Sequence, residues 1–397
     1  MNSGRIAFAG ARIFDGRRIL TGRALYVIGG VVEAIVPEAE LPADVEVERL
    51  PGGILAPGFV DLQVNGGGGV MFNDAPEVGT LRRMAEAHAG LGTFALFPTL
   101  ITDTSEHRRA AVDAVAEAMA QEVPGIAGLH LEGPHLSVSR KGAHDASLIR
   151  PMSDDDLEFL VGAASRLPRL LVTVAPESVT GGQMAALASA GVLVSLGHSD
   201  AGFDAARTAA AHGARMVTHL FNAMSGLGHR EPGLVGAALA SPALDAGLIA
   251  DGFHVHPAAM AAALRAKAGP GEIFLVTDAM ATAGSELSEF TLNGRVIRRE
   301  AGRLTLSDGT LAGAHVDMAR SLRVLTREAG VAVTRALAMA TRIPARVGGL
   351  SDRFGAIEPG RPADIVHLDG ELNLAAVWRR GVSVSLSPVP ISQGAAS

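Results

Sequence analysis

The strongest constraint on this chain of 397 residues is a repeat of kind, in which short apolar runs are followed by Ala-rich helical stretches. GILAPGFVDLQV precedes a helical pattern around LRRMAEAHAGLG, and TFALFPTL precedes EHRRAAVDAVAEAMAQE. GIAGLHLEG, RLLVTVAPE, GVLVSLGHS, ARMVTHLFN, AGLIADGFH and EIFLVTDAM continue the series, for eight candidate strands mostly separated by helical patterns. The runs do not alternate apolar with polar residues, so both faces of each strand are expected to be covered, as in a parallel sheet wrapped by helices. At this count the α/β fold predicted is a (β/α)8 TIM-type barrel rather than an open doubly wound sheet. No strand–helix junction carries a dinucleotide fingerprint, and Gly66 to Gly69 reads as a tight loop where backbones approach closely, not as a phosphate cradle.

The two ends of the chain read differently. Roughly the first 55 residues form short alternating strands around an Asp15-Gly16 turn, and roughly the last 40 look alike. The termini are therefore expected to pair into one small β-sandwich domain, residues 1–56 plus 352–397, around a barrel over residues 57–351. The segment from Glu286 to Thr310 breaks the rhythm and reads as a hairpin with an Asn293-Gly294 turn, inserted after the eighth strand. HVDMARSLRVLTREAG and TRALAMATRIPARVGG beyond it are helical and complete the barrel.

Composition removes several function classes. At 48% apolar residues the chain has ample material for a core. Lys and Arg total 34 against 41 Asp and Glu, a net charge of -7 without basic blocks, so neither nucleic acid nor an anionic membrane is an expected partner. The N-terminus lacks the apolar core of a signal peptide and no apolar run is long enough to span a bilayer, which predicts a soluble, cytoplasmic protein. With no cysteine, any metal must be held by His and carboxylates. One Trp and one Tyr argue against aromatic platforms for polysaccharide.

In a barrel of this kind, chemistry sits where strands end and βα loops begin. Glu132 after GLHL, His198 after VSLG, His219 after MVT and Asp278 after FLVT are polar residues placed just past apolar runs. One such residue means little, because loop starts are normally polar. Together, Glu132, His198 and His219 supply a carboxylate and two imidazoles, a set suited to a catalytic divalent metal with a position left for water. Asp278 is then the proton carrier of a hydrolytic site.

At these residues the chain resembles the amidohydrolase superfamily and, within it, the N-acetylglucosamine-6-phosphate deacetylase family. The matching stretches are PGFVDLQVNGGGG, LFPTLIT, GLHLEGPHL, KGAH, VTVAPE, SLGHSDA, THLFNAM, HREPGLVG, IADGFHV, LVTDAM and LAGAH, in family order from Pro57 to about Pro344. The resemblance implies Glu132, His198 and His219 as metal ligands and Asp278 as catalytic acid/base, with His144 polarising the acetamide carbonyl. It implies substrate contacts from Ala143, His144, Asn222, Ala223, Asp251, His254, Leu311, Ala312 and Gly313, and from Gln63 as a substrate or supporting contact. Arg230 in HREPG matches a phosphate ligand that reaches across a dimer interface, so a homodimer is implied. Where many amidohydrolases carry a His-x-His pair, this chain has Gln63 and Asn65, weak ligands for zinc or iron, which implies one metal per subunit. Zinc is the first expectation, with iron, cobalt and manganese as alternatives. The implied reaction hydrolyses the acetamide of N-acetyl-D-glucosamine 6-phosphate to D-glucosamine 6-phosphate and acetate. The alternative is the galacto epimer, which no residue type here distinguishes. A ring-amide hydrolase lacks its carboxylated Lys and His-x-His pair here, and a catalytically silent barrel would have no use for the four-residue set.

The remaining histidines read as structural. His130 is expected to be a hydrogen-bonded core residue and His135 a loop packing residue. His88, His107, His212 and His367 are read as solvated or structural, His229 as a neighbour of Arg230 able to add charge near phosphate, and His256 and His315 as having no arguable role.

Overall fold

The computed structural model describes residues 4–388; the first three residues and the small-residue tail, both assigned above to the sandwich, lie outside them. Eight parallel strands follow one another around one sheet: Phe59–Val64, Thr93–Ile101, Leu129–Glu132, Leu170–Val174, Leu193–Leu196, Met216–Val217, Asp245–Leu248 and Ile273–Leu275. The eighth returns to the first through a parallel bridge between Val64 and Ala279, with Asp278 N donating to Gln63 O at 3.0 Å and Asn65 N to Ala279 O at 2.8 Å. The barrel is the one predicted, strand for strand.

The strands are buried along their length, only Leu193 being partly exposed, as their unbroken apolar character requires. Short polar side chains start the outer helices. Thr104 accepts from His107 N ahead of Ser105–Ala120, and Ser153 and Thr180 form capping boxes with Asp156 and Gln183 ahead of Asp154–Arg166 and Gly181–Ser189. After the eighth strand, Met318–Arg323 runs into a π-helical turn at Val324–Glu328, and Val333–Ala340 and Arg342–Val347 finish the outer layer.

Both ends of the chain build the sandwich. One sheet holds Val31–Pro37, Arg23–Ile28, Arg5–Ala9 and Glu46–Arg49. The other places Ile54–Pro57 between Ile365–Leu368, antiparallel, and Arg12–Phe14, parallel. Phe8, Ile13, Leu25, Leu55, Ile365 and Trp378 fill the space between them, with Phe8 edge-on to Trp378 at 5.0 Å.

The insertion carries one strand more than the predicted hairpin. Glu289–Leu292, Arg295–Glu300 and Arg303–Thr305 form an antiparallel meander. Asn293 and Gly294 both have positive φ, 49° and 73°, as the tight first turn requires, and Ala301 and Gly302 repeat the pattern at the second. Leu292, Ile297 and Leu304 pack on Ile101 and Met280 in a cluster separate from the main core, so the meander walls one side of the barrel mouth. Arg295 donates to the Ala143 carbonyl and ties it there.

Candidate active site

The four residues singled out at strand ends converge at the barrel mouth. Glu132 ends the third strand, and His198, His219 and Asp278 lie two, two and three residues past the fifth, sixth and eighth. His198, His219 and Asp278 have φ of 47°, 27° and 52°, a left-handed backbone that costs a non-glycine residue on the order of 1–3 kcal/mol and persists only where surroundings enforce it. They do so here: Asp278 N donates to Gln63 O, Leu220 N to Gly247 O at 2.7 Å, and Ser137 N to His198 O at 2.8 Å.

Glu132 Oε1 lies 3.2 Å from His198 Nε2 and 3.1 Å from His219 Nε2, and the two Nε2 atoms are 3.1 Å apart. His198 Nδ1–H donates to the Arg140 carbonyl at 2.8 Å, which leaves Nε2 bearing the lone pair. Two imidazole lone pairs at this separation repel unless a cation or proton lies between them, and a carboxylate oxygen at the same distance completes a set of two nitrogens and one oxygen that zinc and its neighbours accept. The residues fit a divalent ion, and they are the ones the described chain brings together as a possible metal site. Burial pushes the Glu132 carboxyl up, but the two imidazoles beside it outweigh burial and hold it well below the usual range. Burial and then the Glu132 charge raise the Asp278 carboxyl.

His144 is fixed as a neutral donor. The Thr102 backbone N–H donates to its Nδ1 at 3.3 Å, with the Thr102 hydroxyl on the same atom at 2.7 Å. Nδ1 is thus an acceptor, and the ring proton sits on Nε2, 3.9 Å from Glu132 Oε2. Burial, and then His198, lower its pKa well below the ordinary histidine value.

These groups line a cavity of about 380 Å3 together with Asn65, Arg140, Ala143, Asn222, Ala223, His254, Leu311 and Gly313. Asp251 is buried behind it. Its Oδ1 accepts from the Phe253 and His254 backbones at 2.8 Å and its Oδ2 from His254 Nδ1 at 2.7 Å, leaving Nε2 of His254 for a ligand. Asn222 Nδ2 donates back to the His219 carbonyl at 3.2 Å. Gly313 must be glycine: its φ is +64° and a Cβ would lie 2.5 Å from Met280 Cγ.

Besides Asp251, three residues expected at or beside the substrate do not line this cavity. Gln63 does not line the cavity; Nε2 donates to Glu132 at 3.3 and 3.4 Å and to Asp278 Oδ1 at 3.2 Å, so it supports the reacting groups rather than the sugar. Ala312 is fully buried, its N–H bonded to Leu304 O at 3.1 Å, and fastens the loop to the meander. Arg230 is exposed beside His229, outside this cavity, and makes no ion pair among the described residues. Sequence reasoning missed Arg140, whose carbonyl orients His198 and whose guanidinium pairs with Asp200 at 2.7 Å. It also missed Asp61, although an acid inside an apolar run was a visible signal. His130 is the core residue expected, between Thr99 and Thr173 hydroxyls at 3.3 and 2.8 Å. His256 has a role after all: its Nδ1 accepts from Ala258 N and caps Pro257–Ala266.

Comparison with known proteins adds an independent line. Residues 54–388 match the amidohydrolase family and residues 6–55 the NagA composite domain. An N-acetylgalactosamine-6-phosphate deacetylase of Shewanella sp. (strain ANA-3) is 44% identical over 93% of this chain and 95% of its own length. An N-acetylglucosamine-6-phosphate deacetylase of Haemophilus influenzae is 35% identical over 89% of this chain and 92% of its own. The crystal structure of N-acetylglucosamine-6-phosphate deacetylase from Pasteurella multocida superposes with a TM-score of 0.91 at 35% identity, covering 96% of this chain and 99% of that one.

Proposed function

From a chain that belongs to the amidohydrolase family, and within it to the deacetylases of amino-sugar 6-phosphates, we propose hydrolysis of the acetamide of N-acetyl-D-glucosamine 6-phosphate to D-glucosamine 6-phosphate and acetate. The observation that carries it is the convergence of Glu132, His198 and His219 beside Asp278 in one cavity. Glu132, His198 and His219 would hold a single divalent ion, zinc first, and what such an ion supplies is Lewis acidity toward an amide carbonyl and toward water.

The protein's own groups do the rest. His144 Nε2–H is an uncharged donor for the carbonyl oxygen as it gains negative charge. Asp278 accepts a proton from water as the water oxygen bonds to the carbonyl carbon. It then delivers that proton to the amide nitrogen, which leaves with the electron pair of the breaking C–N bond. An unprotonated amide nitrogen is a poor leaving group, so one carboxyl serving twice suffices. His254, held by Asp251, and the backbone near Asn222 and Ala223 are placed to receive the sugar phosphate. Arg230 extends this set in a homodimer by reaching the neighbouring mouth, a reading supported by its exposure outside its own cavity. A guanidinium there suits phosphate because its fork makes paired charge-assisted bonds. Mixed dimers of Arg230→Ala and Asp278→Asn subunits would then contain one intact site, whereas an arginine serving its own subunit would leave none.

The galacto epimer is a second reading, favoured by the Shewanella relative. Acetate release from both epimers and from the unphosphorylated sugar, with and without a chelator, tests the assignment. Chelator-sensitive turnover of the gluco phosphate in excess of the other two is expected. A preference for the galacto phosphate moves the assignment to the epimer, and no release by metal-replete protein overturns both.

A further inference from the structure

The first barrel strand presents Asp61 and Gln63 at alternate positions, where residues share a face, and Asn65 continues the alternation one residue past its end. All three are essentially fully buried, and all three serve a short piece of chain more than two hundred residues away. Gln63 Nε2 donates to Asp278 Oδ1 at 3.2 Å and Asn65 Nδ2 donates to the same atom at 2.6 Å. Asp61 takes the Thr277 backbone N–H at 3.2 Å and the Thr277 hydroxyl at 2.5 Å, and that hydroxyl in turn accepts from Ala279 N at 3.2 Å. The residues on both sides of Asp278 are thereby clamped, and Asp278 itself sits at a φ of 52°.

Both side-chain hydrogen bonds to the Asp278 carboxyl fall on Oδ1. A carboxylate oxygen has two lone-pair sites, and two N–H donors engage both. We propose that this face of the first strand is a positioning device for Asp278: Gln63 and Asn65 occupy Oδ1, Asp61 locks the backbone around it through Thr277, and Oδ2 is left as the atom that takes and returns the proton. Neutral amides suit the task, since they donate to the anion without adding charge. A carboxylate at either position would repel Asp278, and a cation would hold it as the anion and weaken it as a base. The Oδ1 of Asn65 and Oε1 of Gln63 are without hydrogen-bond partners among the described residues, so the donor ends of both amides are the engaged ones. The inference rests on the reading of Asp278 as proton carrier, and it assigns Gln63 and Asn65 as positioning residues that act through Asp278.

The test uses the metal-loaded full-length protein with Asn65→Leu, Asn65→Asp and Gln63→Leu. Leu removes the donor; Asp keeps the size and shape but turns a donor into an acceptor beside Oδ1. Loss of an oriented supporting bond predicts that each Asn65 variant lowers kcat about 10- to 100-fold, with KM and metal content held within about twofold. The solvent deuterium isotope effect on kcat is expected to rise, because the impaired step is a proton transfer. A purely packing role predicts near-normal turnover for Asn65→Asp and a defect confined to Asn65→Leu, which would overturn the proposal. So would equal losses of kcat and bound metal. Crystal structures of the wild type and Asn65→Leu give a readout that needs no turnover: the Asp278 carboxylate is expected to leave its place by about 1 Å or more, and an unmoved carboxylate refutes the device. If the wild type releases no acetate from either sugar phosphate, the functional reading fails by itself, and the position of Asp278 still decides this one.

Discussion

The two ends of the barrel solve opposite problems with similar residues. At the floor, Asp245 opens the seventh strand and Glu272 immediately precedes the eighth. Arg346 donates to Asp245 Oδ1 at 2.6 Å and lies 3.4 Å from Glu272, Arg335 reaches Glu272 at 2.7 Å, and Glu272 N closes onto Asp245 at 2.7 Å. Arg169, at the start of the fourth strand, spends Nε and Nη2 on the Gly349 carbonyl. Each of these charges meets an internal partner. At the mouth, Glu132 and Asp278 share one small space, Asp278 and two imidazoles sit on left-handed backbone, and His219 Nδ1, Gln63 Oε1 and Asn65 Oδ1 have no partner among the described residues. The floor is satisfied by its own sequence, whereas the mouth is arranged for groups the sequence does not contain. Binding sites of this kind are expected to cost stability that the rest of the fold supplies.

The comparison breaks if a change at one end has the consequences of a change at the other. The largest effect expected is that of Asp278→Asn. Acetate release should fall about 10²–10⁴-fold, with metal content unchanged. Since the burial and Glu132 repulsion that raise the Asp278 carboxyl are relieved, stability to urea should rise by about 1 kcal/mol rather than fall. Loss of stability together with activity would erase the distinction.

A second effect is read through pH. Burial, against hydrogen bonds from Thr277 and the Gln63 backbone, pushes Asp61 up to about 7 from an ordinary 3.8. The folded chain therefore keeps a proton that the unfolded chain gives up. The stabilisation is fully present below the unfolded value and is lost as pH rises through the folded one, so urea midpoints should decline between about pH 4 and pH 7 and then level. Asp61→Asn carries no such proton, and a flatter profile over that window is expected. An unaltered slope would place the cause elsewhere.

The smallest effect belongs to the floor. Arg346→Met should lower stability by about 1–2 kcal/mol, the scale of a hydrogen bond to a charged group discounted for partial exposure, and leave kcat and KM for acetate release at wild-type values.

What was legible in the sequence follows the same division. Eight apolar runs and the helical stretches between them identify the barrel because burial on both faces leaves no other pattern. Glu132, His198, His219 and Asp278 could be picked out because each interrupts such a run at its end. Arg140 was not legible, because its contribution to His198 is a backbone carbonyl, which every residue has. A motif gives proximity to a site but not the direction a side chain faces, so the sequence left Gln63 open between a substrate and a supporting contact and did not reveal that Ala312 is buried against the meander. The third strand of the insertion was missed because Ala301-Gly302 is a weaker turn signal than Asn293-Gly294, although both adopt the same backbone. Asp61 was visible as an acid in an apolar strand, but its partner Thr277 lies at the far end of the barrel and only closure of the sheet joins them.

The sandwich sheet that contains Ile54–Pro57 sets an order of events in the chain's synthesis. Leu55 pairs with His367, and Pro57 with Ile365, contacts spanning more than three hundred residues, while the first barrel strand begins two residues after Pro57. During translation the segment that opens the barrel emerges early with its neighbour's hydrogen-bonding edge bare, and stays so until nearly all of the chain has left the ribosome. Contacts of such separation form late and expose strand edges while they wait. The ribosome thus delivers the strand that closes the barrel, Ile273–Leu275, well before Ile365–Leu368 closes the clasp, so truncation near the C-terminus would leave a nearly finished protein with an open edge at Ile54–Pro57.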